Sequence, residues 1–353
     1  MVKKVSSGLS VEERLELIKR NTEEILGVEN LKKLLEDKDK KKSKPVVYWG
    51  TAPTGKPHVG YFFPALKIAD LLRAGWKVKI LIADLHAALD NTPWKYMDAR
   101  YDYYSKSIPL LIQAMGADVK ELEFVKGSEM QLKPEYMYDV LQMSSLSSVR
   151  DATRAGSEVV KQATNPQVSG LVYPLMQAVD EQYLEVDAQL GGTDQRKIMV
   201  LAREKLPRIG YKARMEILHP LIPGLAAGGK MSASNEKSKI DLLDDEKTVA
   251  SKLKAADCVA GDPNNGVLAF CKYVLMVLKQ DKKEKLIVER PDKYGGNLEY
   301  ENYEVLEKDF VDKKLHPLDL KNTLAKEISE LLKPIRKQEK ELRKLDEKGW
   351  VGK

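Results

Sequence analysis

The chain has 353 residues, more than the roughly 150 of a common single domain, so two cores are expected. That length excludes a peptide hormone or a minimal module, and 43% hydrophobic with 32% charged residues argue against a generally disordered chain. Fifty-nine Lys and Arg against 53 Asp and Glu leave a net charge of +6, which permits a polyanionic partner without requiring one.

Cys258 and Cys271 are too few for a disulfide framework and lack zinc-ligand spacing, so a reducing cytosol with both thiols buried is expected. The first twenty residues have no apolar stretch of signal-peptide type, and their acidic residues disfavour a mitochondrial presequence. No run approaches the roughly 20 apolar residues of a membrane span.

Taken in chain order, Ser10-Val-Glu-Glu13 is a capping box, and Leu15, Ile18, Ile25 and Leu26 predict one helical face ending at Gly27. Lys38 to Lys44 reads as a solvated connector or a nuclear-import signal. VVYWGT from Val46 predicts a buried strand, and Tyr61 to Ala74 a helix stopped by Gly75. KVKILIADL predicts a second strand, residues 96–115 a helix interrupted near Pro109, and LEFVKGSE a third strand. Strands alternating with helices through short turns imply a doubly wound parallel sheet. Residues 135–235 continue as helices and loops to the Gly/Pro-rich PLIPGLAAGGKMSAS, a natural boundary beyond which the chain is mostly helical and Lys-rich. Residues 333–353 hold eight Lys or Arg against four Asp or Glu, either a solvated helix end or a weak RNA contact.

Two segments carry chemistry. In Pro53-Thr54-Gly55-Lys56-Pro57-His58-Val59-Gly60-Tyr61, between a strand and a helix, Gly55 and Gly60 let the backbone approach a ligand. The following helix N-terminus offers unpaired N–H groups to phosphate, and His58 is placed to donate to developing negative charge. In Gly228-Gly229-Lys230-Met231-Ser232-Ala233-Ser234, one ammonium and two hydroxyls suit a pyrophosphate leaving group.

Together these segments resemble the HIGH and KMSKS signatures of class I aminoacyl-tRNA synthetases. VVYWGTAPTGKPHVG, SGLVYPLMQAVDEQYLEVDAQLGGTDQRKI, GGKMSAS and HPLDLK narrow the likeness to tyrosyl-tRNA synthetases of the eukaryotic cytosolic kind, over about residues 10–337. Tyr61 stands at the last His of the first signature and Ala233 at the second Lys of the other, so the phosphate chemistry rests on His58, the helix N-terminus and Lys230. The resemblance implies a Rossmann-like doubly wound α/β catalytic domain over 1–238 and an all-α anticodon-binding domain with a basic tail over 239–353. It also implies a homodimer, with the interface from about 135–170. Leu141, Met143, Leu146 and Val149 suit that surface or an internal core. The extra carboxy-terminal domain of animal relatives, and its cytokine-like activity, are not expected.

The resemblance further implies that Tyr48 and Asp180 grip a substrate phenol, with Tyr173, Gln177 and Gln195 on the ammonium side. The i, i+4, i+7 spacing of Tyr173, Gln177 and Asp180 allows all three to share a helix face. Thr54, Gly55, Gly60, Gly191, Gly192, Asp194, Lys230, Met231, Ser232 and Ser234 would bind ATP, with Mg2+ carried by the nucleotide rather than held by a protein cage. His86 would line the tyrosine ring or serve as a core histidine. Arg196 would read the first base pair of tRNA-Tyr, while Tyr294 and Asp319 would read the first anticodon base. The expected activity is ATP-dependent ligation of tyrosine to tRNA-Tyr through tyrosyl-adenylate, in the cytoplasm. The alternatives are a tryptophanyl enzyme and a non-catalytic RNA-binding relative.

Overall fold

The structure, a computed structural model, describes residues 8–160, 167–226 and 239–350. The first helix, α1 (Val11–Lys19), is closed by the Ser10/Glu13 capping box. It is shorter than its sequence pattern predicts, because Asn21 takes a left-handed φ of 54° and turns the chain. Ile25 and Leu26 therefore lie not on this helix but on β1 (Glu24–Leu26). The predicted connector is helical as far as Lys40, within α2 (Leu31–Lys40), whose Leu31 and Leu35 are buried.

The doubly wound sheet follows as expected. β2 (Val46–Thr51), α3 (Phe62–Arg73), β3 (Lys77–Ile82), α4 (Asp84–Leu89), α5 (Met97–Ala114) and β4 (Leu122–Lys126) form its first half. Pro109 does not interrupt α5, which runs through it. Burial of Ile108, Leu111 and Ile112 holds the helix together, and Ser105, whose carbonyl loses its amide partner, is only partly buried. Next come α6 (Gly127–Gln131), α7 (Pro134–Ser145), α8 (Val149–Gly156) and α9 (Ser169–Tyr183). The second half of the sheet is β5 (Ala188–Gly192), α10 (Arg196–Lys205) and β6 (Met215–His219).

The strand order is β1-β6-β5-β2-β3-β4, parallel throughout except for the antiparallel edge strand β1. Both faces are buried, as parallel sheets require. Val47, Trp49, Val78, Ile80 and Ile82 enter one apolar cluster, while Tyr48 and Leu81 enter the cluster on the other side. The order reverses between β2 and β5, and the crevice at their carboxyl ends is where such sheets bind ligands.

The carboxy-terminal region is mainly helical: α11 (Glu246–Ala255), α12 (Gly266–Phe270), α13 (Met276–Lys282), α14 (Tyr303–Val311), α15 (Pro317–Arg336) and α16 (Glu339–Gly349). It is not purely helical, since β7 (Leu286–Val288) and β8 (Leu298–Tyr300) pair as an antiparallel ribbon around the positive-φ Gly295 and Gly296. The basic tail is not merely solvated, because α16 buries Leu342 and is followed by the buried Trp350. Met143 is buried in the core beneath α7 and cannot serve an outer surface, whereas Leu141 and Val149 are exposed. Cys271 is buried as expected, but Cys258 is only half-buried.

Candidate functional site

A cavity of about 390 Å³ opens at the crevice between β2 and β5. Tyr48, Thr54, His58, Gly60, His86, Tyr173, Gln177, Asp180, Gly191, Gly192, Asp194 and Gln195 all line it. Twelve residues spread over about 150 positions of sequence thus converge on one hollow. Gly55 does not line it; its carbonyl is turned away and accepts from the Tyr104 hydroxyl at 2.6 Å. Lys230, Met231, Ser232 and Ser234 lie outside the described residues.

At the closed end, Tyr48 and Asp180 are each 1% exposed. Tyr48 comes from the middle of β2 and Asp180 from α9, whose Tyr173, Gln177 and Asp180 do share one face. Both the Gln131 amide and the Tyr136 hydroxyl donate to Asp180 Oδ1, each at 2.8 Å. Oδ2 has no donor among the described residues. The Tyr48 hydroxyl also has no hydrogen-bond partner there. Burial raises the Asp180 carboxyl from 3.8 to about 7, against the two donors, which lower it. Burial, followed by the nearby Asp180 charge, keeps the Tyr48 phenol protonated far above its ordinary range.

His86 is not on the second strand; it sits on α4, just beyond β3, and its ring meets that of Tyr173 edge-on at 4.5 Å. Burial pushes it down to about 4, so it is neutral at pH 7. Gln177 Nε2 donates to Gln195 Oε1 at 3.0 Å, joining α9 to the turn after β5. At Gly191 an added Cβ would lie 2.7 Å from Met199 Cε, and at Gly192 it would lie 2.7 Å from Asp194 Oδ1, so neither position has room for a side chain.

At the mouth, His58 is 6% exposed, and its Nδ1 accepts the Gly60 N–H at 3.2 Å. That bond assigns the ring proton to Nε2. Burial, then the charge of Lys239, lowers this imidazole to about 4, making it an uncharged donor at pH 7. The chain returning from the Gly-rich loop pairs directly here: Val59 N–H donates to Ile240 O at 2.9 Å, and His58 bridges Asp241. The first signature segment is therefore tied to residues 240 and 241.

Arg196 stands outside the cavity, in a bidentate ion pair with Glu24 of β1 at 2.5 and 2.9 Å. Tyr294 is 62% exposed in the turn of the β7–β8 ribbon, and Asp319 is in the first turn of α15. Gln131, Tyr136 and Lys239 escaped the sequence reading. No motif surrounds the first two, and Lys239 looks like one more lysine of a basic stretch.

The site is thus a mostly parallel sheet with a buried phenol–carboxylate pair at its switch point and a neutral histidine at the mouth of the cavity. Residues 40–333 match the family described as tRNA synthetases class I (W and Y), and the chain belongs to that family. It is 46% identical to the tyrosine–tRNA ligase, cytoplasmic, of Xenopus tropicalis, over 99% of this chain and 65% of that protein. It is 45% identical to the enzyme of the same name from Saccharomyces cerevisiae, over 98% of this chain and 90% of that one. The chain thus spans less than two thirds of the length of the frog relative. The tyrosyl-tRNA synthetase of Archaeoglobus fulgidus, solved with L-tyrosine, superposes with a TM-score of 0.84 at 39% identity, covering 93% of this chain and 99% of that one.

Proposed function

We propose that the chain activates L-tyrosine with ATP and transfers it to tRNA-Tyr through a tyrosyl-adenylate, acting in the cytoplasm as a homodimer. The observation that carries this reading is the closed end of the cavity. A phenol both donates and accepts one hydrogen bond, and Asp180 Oδ2 and the Tyr48 hydroxyl supply one acceptor and one donor. A phenyl ring would satisfy neither, and an indole N–H only the carboxylate. The names and similarity of the relatives support the same reaction.

The tyrosine carboxylate attacks the α-phosphorus of ATP, the bond to the bridging oxygen breaks, and pyrophosphate leaves. No covalent nucleophile of the protein is needed, so catalysis consists of positioning and charge stabilisation. His58 donates its Nε2–H to the phosphate without carrying charge, while the Gln177–Gln195 pair and Tyr173 face the ammonium group. Lys230 would neutralise the departing pyrophosphate, and Mg2+ arrives as part of the nucleotide substrate. The terminal ribose hydroxyl of the tRNA then attacks the acyl carbon and releases AMP. Arg196 is assigned to the first base pair of the tRNA, and Tyr294 and Asp319 to the anticodon. Exposed Leu141 and Val149 favour a partner subunit on the 135–170 side.

ATP–pyrophosphate exchange is the test. Tyrosine should drive it, and phenylalanine and tryptophan should not. Exchange driven equally by tryptophan, or absent with all three, would overturn the proposal.

A further inference from the structure

Arg100, on α5, is 3% exposed, and among the described residues it has no carboxylate partner. A buried guanidinium without a counter-charge is costly unless its N–H groups are satisfied. Here Nε and Nη1 are satisfied by backbone carbonyls. Nη1 donates to the carbonyls of Pro53 at 3.0 Å and Thr54 at 2.9 Å, and Nε donates to Gly349 O at 2.9 Å. The Trp350 ring covers the guanidinium at 4.9 Å and meets Tyr103 edge-on at 5.2 Å. Gly349 permits this approach, since a Cβ there would lie 3.2 Å from Arg100 Cγ. A second tie runs parallel to it, from Lys56 Nζ to Asp346 Oδ1 at 2.7 Å.

The consequence falls on the turn after β2. Pro53 and Thr54 turn their carbonyls to Arg100, and Gly55 turns its carbonyl to Tyr104. In a planar trans peptide the N–H points opposite to the C=O. The amides of Gly55 and Lys56 therefore point away from α5, and among the described residues neither has a protein acceptor. The Thr54 amide is already used, by Ala52 O at 2.8 Å.

We propose that Arg100, clamped by Gly349 and Trp350 at the end of α16, is a positioning residue that holds the Pro53–Lys56 turn, and through it Thr54 and His58 in the wall of the cavity, in the place that ATP needs. The end of the carboxy-terminal helix is thereby a structural part of the nucleotide site. This rests on the reaction proposed above, and the experiment separates the two. Tyrosine-dependent exchange is measured in Trp350→Ala, Trp350→Phe and Arg100→Lys, with tyrosine affinity read by calorimetry. Trp350→Ala should raise the KM for ATP or lower kcat by about 10- to 100-fold, the usual cost of misplacing a site by about an ångström. Tyrosine affinity should stay within twofold. Trp350→Phe, which keeps an aromatic face, should recover most of the loss. Arg100→Lys, which keeps charge but not the fork, should behave like Trp350→Ala. If Trp350→Ala does not fold, Tyr104→Phe, which removes one hydroxyl from the Gly55 carbonyl, reads the same split. Equal weakening toward tyrosine and ATP, or unchanged ATP kinetics in the folded variants, overturns the positioning role. A wild-type protein without tyrosine-dependent exchange refutes the reaction instead.

Discussion

The sharpest prediction concerns phenylalanine, which differs from tyrosine by one hydroxyl and fits any cavity that admits tyrosine. Size cannot exclude it. With phenylalanine bound, the Tyr48 hydroxyl stays unpartnered and Asp180 Oδ2 is sealed from solvent without a donor. A neutral buried group left unpaired costs about 1–3 kcal/mol, and a charged one more, so the pair should disfavour phenylalanine by about 4–6 kcal/mol, or about 10³- to 10⁴-fold. Tyr48→Phe removes only the neutral group and should reduce the Tyr/Phe ratio of kcat/KM by about 1–3 kcal/mol, while Asp180→Ala should reduce it further. The two losses need not add, because the groups meet on one hydroxyl. Pyrophosphate exchange with each amino acid measures the ratio in each variant. A preference that survives both substitutions would show that the hydroxyl is read elsewhere. The same carboxyl sets a pH dependence. Its value of about 7 lies above the unfolded 3.8, so the folded state binds the proton more tightly, and Asp180 favours folding at low pH. That contribution falls away as pH rises from about 4 to 7. Activity runs the opposite way: the ionised form accepts the substrate phenol, so kcat/KM for tyrosine should rise toward a plateau above pH 7, and Asp180→Asn should flatten the profile.

His58→Ala should slow adenylate formation by about 2–4 kcal/mol of transition-state stabilisation with tyrosine binding unchanged, as stopped-flow activation would read. With its own titration near 4, His58 should give no inflection between pH 6 and 8. Arg196→Ala should weaken charging of tRNA bearing C1–G72 by about 1–3 kcal/mol and leave pyrophosphate exchange intact, whereas equal loss of both would remove its assignment to the base pair. Tyr294→Ala should raise the KM for tRNA by the equivalent of about 1–3 kcal/mol, Phe being milder, and a tRNA altered at the first anticodon base should then lose little more. Full additivity of those two changes would refute contact.

What the sequence determined by itself is whatever local periodicity and turn chemistry encode. VVYWGT has the length and β-branched content of a buried strand, the Gly/Pro-rich turn before Tyr61 marks a break between elements, and the i, i+4, i+7 spacing aligns Tyr173, Gln177 and Asp180 on one helix. Motif spacing adds the chemistry those turns carry. Where long-range packing competes with local preference, only the tertiary structure decides. Ile25 and Leu26 have helical spacing but pair with β6 instead, nearly 200 residues on. Pro109 should break a helix but is held in one by the burial of its neighbours. The residues that complete the site are hidden for the same reason. Gln131 and Tyr136 reach Asp180 across 49 and 44 positions, and Arg100 reaches Gly349 across 249. Such contacts leave no local pattern in a single sequence, because a hydrogen bond constrains two atoms in space and places no condition on the residues between them.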